Sequence, residues 1–227
     1  VTAEVRGARL TFHAGTPNEV RALDGVDLSI SEGSFAVVIG TNGSGKSTLL
    51  NALAGSLALD GGSILLDGRD VTRLPEHRRA AFVGRVFQNP FTGTAPGMTI
   101  AENLAIAARR GSTRGLKWAL GKSLKKELSA RVASLGMGLE QRLETPIGTL
   151  SGGQRQALTL LMATWHRPRL LLLDEHTAAL DPKTAEQVLA LTASIVSSAK
   201  LTTLMVTHSM AQAVTMGNRL VMMARGR

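Results

Sequence analysis

Residues Gly40-Thr41-Asn42-Gly43-Ser44-Gly45-Lys46-Ser47 have the spacing G-x-x-x-x-G-K-[ST], that of a phosphate-binding loop. Glycines let backbone N–H groups turn inward and approach an anion with no Cβ in the way. Lys46 supplies a point charge for the β- and γ-phosphates of a nucleotide, and the Ser47 hydroxyl can ligate Mg²⁺. Such a loop must be carried by a strand in front and a helix behind, whose N-terminus adds free N–H donors. Phe35-Ala36-Val37-Val38-Ile39 reads as that buried strand, and Thr48-Leu49-Leu50-Asn51-Ala52-Leu53-Ala54 as the start of that helix.

Further along lie other residues with chemistry to offer. Leu170-Leu171-Leu172-Leu173-Asp174-Glu175 is an apolar strand ending in two acids. In a parallel sheet such a strand brings its carboxylates beside the phosphate loop, Asp174 for the Mg²⁺ shell and Glu175 to polarise a water. Leu150-Ser151-Gly152-Gly153-Gln154 offers Ser151 as an N-cap and a second helix start able to face an anion. His208 follows directly on the strand-like Thr202–Thr207, and Gln88 closes the strand-like Arg85-Val86-Phe87. Phe12 ends a first strand over 4–12, with a ring that serves either the core or an adenine base.

The remaining segments read as scaffold. Val26–Ile30 alternates as a second strand, and Ser63–Leu66 lies between turn signals as antiparallel sheet. Over 98–146 strand signals vanish, and Leu116, Leu120, Leu124, Leu128, Val132 and Leu135 recur at helical spacing. A helix after Leu180-Asp181-Pro182 buries Ala185, Val188, Leu189, Thr192, Ile195 and Val196, and Leu220–Met223 reads as a last strand.

Composition bounds the function. With no cysteine, disulfides and thiolate metal sites are excluded, and with no apolar run of 18 residues no membrane-spanning helix is expected. No secretory signal is read at the start, and Val1 and the closing Arg225-Gly226-Arg227 suggest trimmed ends. The net charge of +9 is concentrated in 109–131, where Arg109, Arg110, Arg114, Lys117, Lys122, Lys125, Lys126 and Arg131 face only Glu127. That segment reads as a solvated helix face, a surface for anionic lipid or an acidic partner, or a nucleic-acid surface. Only 3% of residues are aromatic and none is Tyr, which argues against stacking on single-stranded nucleic acid.

Five elements in this order, Gly40 to Ser47, Gln88, Leu150 to Gln154, Leu170 to Glu175 and His208, resemble those of the ATP-binding-cassette (ABC) ATPases, the nucleotide-binding domains of transporters. The resemblance covers essentially the whole chain, and Leu-Ser-Gly-Gly-Gln is its most specific part. It implies an α/β P-loop NTPase fold in one domain over 1–227. The core, at 1–97 and 147–227, would hold a mixed or parallel sheet with an antiparallel β part, and a helical subdomain would fill about 98–146. It implies ATP and Mg²⁺ as cofactors. Glu175, His208 and Gln88 would be catalytic, Glu175 as the catalytic glutamate and His208 as the switch histidine. Ser47, Gln88 and Asp174 would serve the metal. Nucleotide contacts would come from Phe12, Gly40, Thr41, Asn42, Gly43, Ser44, Gly45, Lys46, Ser47 and Thr48. Ser151, Gly152, Gly153, Gln154 and Asp181 would complete the site across a head-to-tail dimer.

The partners so implied are a second copy, transmembrane permease subunits and an extracytoplasmic substrate-binding protein, with no nucleic acid. The location implied is cytoplasmic, on the inner face of the cell membrane. His176 stands where the family usually has Pro. The Glu-His-Thr wording is similar to that of a group of bacterial uptake ATPases linked with amino-acid transport. Export, and a soluble cassette acting in DNA repair, chromosome handling or translation, are the competing readings. One cassette and no long heptad run count against the soluble classes.

Overall fold

The computed structural model describes residues 2–110 and 122–227, with side chains in the second stretch from residue 124 onward. In chain order the elements are β1 (Ala3–Phe12), β2 (Val20–Ile30), β3 (Phe35–Ile39), α1 (Lys46–Ala54), β4 (Gly61–Leu66), β5 (Arg69–Asp70), α2 (Glu76–Arg79) and β6 (Val83–Val86). There follow α3 (Ile100–Ala108), α4 (Lys122–Ala133), α5 (Gly152–Thr164), β7 (Leu170–Asp174), α6 (Pro182–Ala199), β8 (Thr203–Val206), α7 (Met210–Met216) and β9 (Arg219–Met222). They form two compact units, one of Val1–Arg85, Pro168–Glu175 and Ala199–Arg227, the other of Val86–Arg167 and His176–Ser198.

The first unit holds two sheets. β2-β1-β4-β5 is antiparallel, and β6-β7-β8-β3-β9 contains the parallel neighbours β7/β8, β8/β3 and β3/β9. All five residues of β3 are buried, as its unbroken apolar run requires of a strand covered on both faces. Leu49, Leu50 and Leu53 of α1 join Val38, Leu170, Leu172, Leu204 and Val206 in one apolar core. Fully buried Arg79 closes the far end of α1 by donating to the carbonyls of Ala52 and Leu53, and it also bonds Leu74 O and Thr72 O. A cation at a helix C-terminus satisfies its orphan carbonyls and complements its dipole.

Several boundaries differ from the sequence reading. β2 starts at Val20 rather than Val26, because its pairing with β1 shifts register three times and the bulges break the period-2 pattern. α1 starts at Lys46 rather than Thr48, since Gly45 in the left-handed region (φ 101°) turns the chain into the helix two residues early. β6 ends at Val86, so Phe87 and Gln88 lie beyond the strand rather than in or at the end of it.

The second unit is helical. Thr99 caps α3 in a reciprocal box with Glu102, and Ser151 does the same for α5 with Gln154. Leu128, Val132, Leu135, Leu158, Leu161 and Trp165 share its core, with Leu124 and Met162 packed against them. Leu116, Leu120, Arg114 and Lys117 lie outside the described residues. Two basic side chains of the 109–131 segment finish α5. Arg110 Nη2 donates to Ala163 O (2.9 Å) and Arg131 Nη1 to Trp165 O (2.9 Å), with the Arg131 guanidinium 4.0 Å above the Trp165 ring. Lys125 pairs with Glu144 at 2.7 Å. Those charges therefore have intramolecular work. On α6, Val188, Thr192 and Val196 are buried, while Ala185, Leu189 and Ile195 are half-buried.

Candidate active site

Three neighbouring strands of the parallel sheet, β7, β8 and β3, end at the same edge and there hand over to Asp174-Glu175, to Thr207-His208 and to the Gly40 loop. The loop is shaped by its own residues. Gly45 combines a positive φ with close packing: a Cβ there would stand 2.3 Å from Ala22 O, so no other residue fits. Lys46 is 6% exposed, and its Nζ donates to Gly40 O (2.8 Å) and Thr41 O (2.9 Å), curling the loop around the ammonium. The N–H groups of the first turn of α1 have no helical acceptor, as at any helix start. The hydroxyl of Ser44, also buried, has no hydrogen-bond partner among the described residues. A buried orphan donor, helix-start N–H groups and an ammonium around one glycine loop fit a polyphosphate. Ser47, in the same first turn, is exposed.

Asp174 is the last residue of β7 and pairs in register with Val206 of β8. Burial pushes its carboxyl above the usual carboxylate range, Arg85 and Lys46 oppose that, and Glu175 adds to it. Arg85 Nη2 is 3.4 Å from Asp174 Oδ2. Glu175 extends the sheet by one bond, its N–H donating to Val206 O (3.0 Å), and then turns at φ 41°. A non-glycine residue in that region carries a strain of ~1–3 kcal/mol that the surrounding structure must hold. The turn aims its carboxylate at His208, whose Nδ1 lies 3.4 Å from Glu175 Oε2. His208 remains 63% exposed and Glu175 19%, so the pair is open to solvent on the histidine side. A carboxylate beside an imidazole, next to a phosphate-shaped loop, is equipped to hold a water and manage its proton.

Phe12 ends β1, half-buried against the core of the first unit, so part of its ring serves packing. Asp174, Glu175, His208, Phe12 and residues 40–48 thus all belong to the first unit, whereas Gln88, Ser151 to Gln154 and Asp181 belong to the second. There Ser151 is exposed and its hydroxyl accepts from Gln154 N (3.3 Å). Gly153 touches α6 so closely that a Cβ would fall 2.2 Å from Thr184 Cγ2. Asp181 caps α6 by accepting from Thr184 N (3.1 Å), and this bonding to Thr184 holds its carboxyl below the usual range. His176 is buried, with its Nε2 3.1 Å from Thr192 Oγ1.

Among the contacts that escaped sequence reasoning are Arg85 with Asp174 and His176 with Thr192. The only available signal for the first was a single charge inside the apolar run Phe82-Val83-Gly84-Arg85-Val86-Phe87. For the second there was none. Among the described residues no three His, Cys, Asp or Glu side chains cluster closely enough to hold a metal ion by themselves. A magnesium ion at Asp174 and Ser47 would therefore draw further ligands from phosphate oxygens or water.

Residues 23–178 match the protein family described as ABC transporter. The tyrosine transport ATP-binding protein of Clostridioides difficile is 43% identical over 212 residues, covering 93% of this chain and 83% of that protein. The lipoprotein-releasing system ATP-binding protein LolD 1 of Caulobacter vibrioides is 37% identical over 96% of this chain and 91% of its own length. Among solved structures, the dimeric ATP-binding cassette MJ0796 in a post-hydrolysis state with ADP and Pi superposes with a TM-score of 0.83 at 27% identity. That superposition covers 99% of this chain and 95% of the cassette.

Proposed function

Since this chain belongs to the ABC transporter family and is an ATPase of that family, we propose that it powers uptake of a solute across a bacterial membrane through separate permease subunits. The observation that carries the chemistry is the shared edge of β7, β8 and β3, with its glycine loop, its acid pair and the Glu175–His208 contact at 3.4 Å. Lys46 exchanges its bonds to Gly40 O and Thr41 O for the β- and γ-phosphates of ATP. Ser44 and the helix-start N–H groups line the same phosphates, and Phe12 lends the exposed part of its ring to the base. Ser47 and Asp174 of this unit would hold magnesium, which when bound would neutralise phosphate charge. Glu175 orients the attacking water and takes its proton, and His208 fixes the Glu175 carboxylate while reaching the γ-phosphate side.

A second copy completes the site by offering Ser151, Gly152, Gly153, Gln154 and Asp181 to the nucleotide. The dimeric cassette of similar structure supports pairing with a second copy. Among the described residues no helix is long and apolar enough to cross a membrane. The path for the solute is accordingly assigned to permease subunits, with this chain docked on their inner face and a substrate-binding protein on the other side. In this function 1–97 and 147–227 act as the nucleotide core and about 98–146 as an insertion in it. The solute class favoured is an aromatic amino acid, supported by the 43% identical tyrosine transport protein.

The test is reconstitution with a permease that co-purifies with this chain. Vesicles should accumulate labelled tyrosine only with ATP on the side of this subunit, and Lys46→Ala should abolish that. Movement of a solute in the opposite sense would overturn the direction, and failure to assemble with any permease would overturn the transport role.

A further inference from the structure

Arg85 puts a cation into a strand whose other residues are buried. It sits in β6 between Gly84 and Val86, both buried, and its own side chain is 13% exposed. Removing a guanidinium from water is costly, and a well-packed apolar residue at such a position is generally at least as stable. The guanidinium instead spans two groups of the nucleotide unit. Nη2 is 3.4 Å from Asp174 Oδ2, and Nη1 is 3.4 Å from Ser56 Oγ, just past the C-terminus of α1. Asp174 is itself only 15% exposed, so little water screens the pair.

We propose that Arg85 is a positioning residue that guards Asp174 against a divalent cation arriving alone and thereby couples metal entry to nucleotide entry. The inference rests on the reading of Asp174 as the magnesium acid. A positive charge within hydrogen-bonding distance of a metal ligand opposes a second cation there through its Coulomb field. The described acids and histidines cannot build a metal cage without help. The missing ligands and the missing negative charge are both brought by the polyphosphate. Arg85 keeps the carboxylate in place until then and sets the threshold that the metal–nucleotide complex must pass.

Manganese serves as the probe, counted by the spin-resonance signal of the free ion, with and without a non-hydrolysable ATP analogue. Four proteins are compared: parent, Arg85→Gln, Arg85→Lys and Asp174→Asn. Arg85→Gln should bind the ion about 3–10 times more tightly with the analogue, and should gain measurable binding without it. Arg85→Lys, which keeps the charge, should stay within about twofold of the parent. Arg85→Gln binding no more tightly than the parent would overturn the proposal. Asp174→Asn reads the premise separately: it should weaken the ion by about tenfold or more, and if it does not, the metal role of Asp174 fails whatever Arg85 does. Should Arg85→Gln not fold, the side-chain ¹⁵N resonances of Arg85 in the parent decide. They should move when manganese is replaced by diamagnetic magnesium and titrated with the analogue, and not with the analogue alone; unchanged resonances in both would overturn the proposal.

Discussion

Acid should unfold this protein partly through one ring. His176 is 2% exposed, and burial pushes its pKa down to about 4 from an ordinary 6.5. Its tautomer follows from its neighbour. Thr192 has a single hydroxyl proton and gives it to Val188 O at 2.7 Å, so the 3.1 Å contact must have His176 Nε2–H as donor. A second proton would then place an uncompensated charge on Nδ1 inside the second unit. Because the folded pKa lies below the unfolded one, the unfolded chain takes up the proton first as the pH drops. The stability owed to the neutral ring is therefore complete above about pH 6.5 and is lost progressively down to about pH 4, with no further loss from this group below that. A pKa held from 6.5 to about 4 corresponds to ~3 kcal/mol, a large part of the ~5–15 kcal/mol that keeps a domain folded. The comparison is with His176→Gln, whose amide can still donate to Thr192 but does not titrate. Urea unfolding at pH 7.5, 6.5, 5.5 and 4.5 should show the parent losing ~2–3 kcal/mol more than the variant by the lowest pH. Parallel losses in parent and variant would refute the buried neutral ring.

Two further substitutions probe other joints. Lys46→Ala should abolish tight ATP binding, read by nucleotide fluorescence, while the far-ultraviolet circular dichroism stays that of the parent, because its bonds to Gly40 O and Thr41 O belong to an open loop. Gly153→Ala forces a methyl to within 2.2 Å of Thr184 Cγ2 and should lower stability in urea by ~1–3 kcal/mol; an unchanged midpoint would show that α6 yields easily at Thr184.

Sequence reasoning reached the features that chemistry writes locally. The run Phe35–Ile39, the glycines of 40–45 and the Ser151 cap each announce their conformation within a few residues, since a buried strand, a positive φ and a helix cap are local demands. The order β7-β8-β3, with β8 between the acidic strand and the strand that carries the loop, is not written locally and was not read from the sequence. What escaped depends on neighbours distant in sequence. The first half of β2 is held by its pairing with β1 across bulges, which leave no alternation to read. Arg85 meets Asp174 across 89 residues, Arg110 meets Ala163 across 53, and His176 gains its buried state from Thr192 on α6. In each case the side chain looks like an ordinary surface polar residue until the partner strand or helix is in place.

In the proposed cycle ATP is held by the Lys46 loop of one copy and the Ser151 helix start of another, and Glu175 performs the hydrolytic step. Glu175→Gln tests it most directly, because the amide keeps the size of the carboxylate and loses its basicity. ATP binding should persist while turnover falls by about 10²–10⁴-fold, and size-exclusion chromatography with ATP should show a monomer becoming a dimer. Ser151→Arg, added to Glu175→Gln, should prevent that dimer and leave ATP bound to the monomer, at a cost of ~1 kcal/mol for the lost helix cap. A Glu175→Gln protein that stays monomeric with ATP bound, or a double variant that dimerises as readily as the single one, would contradict the account.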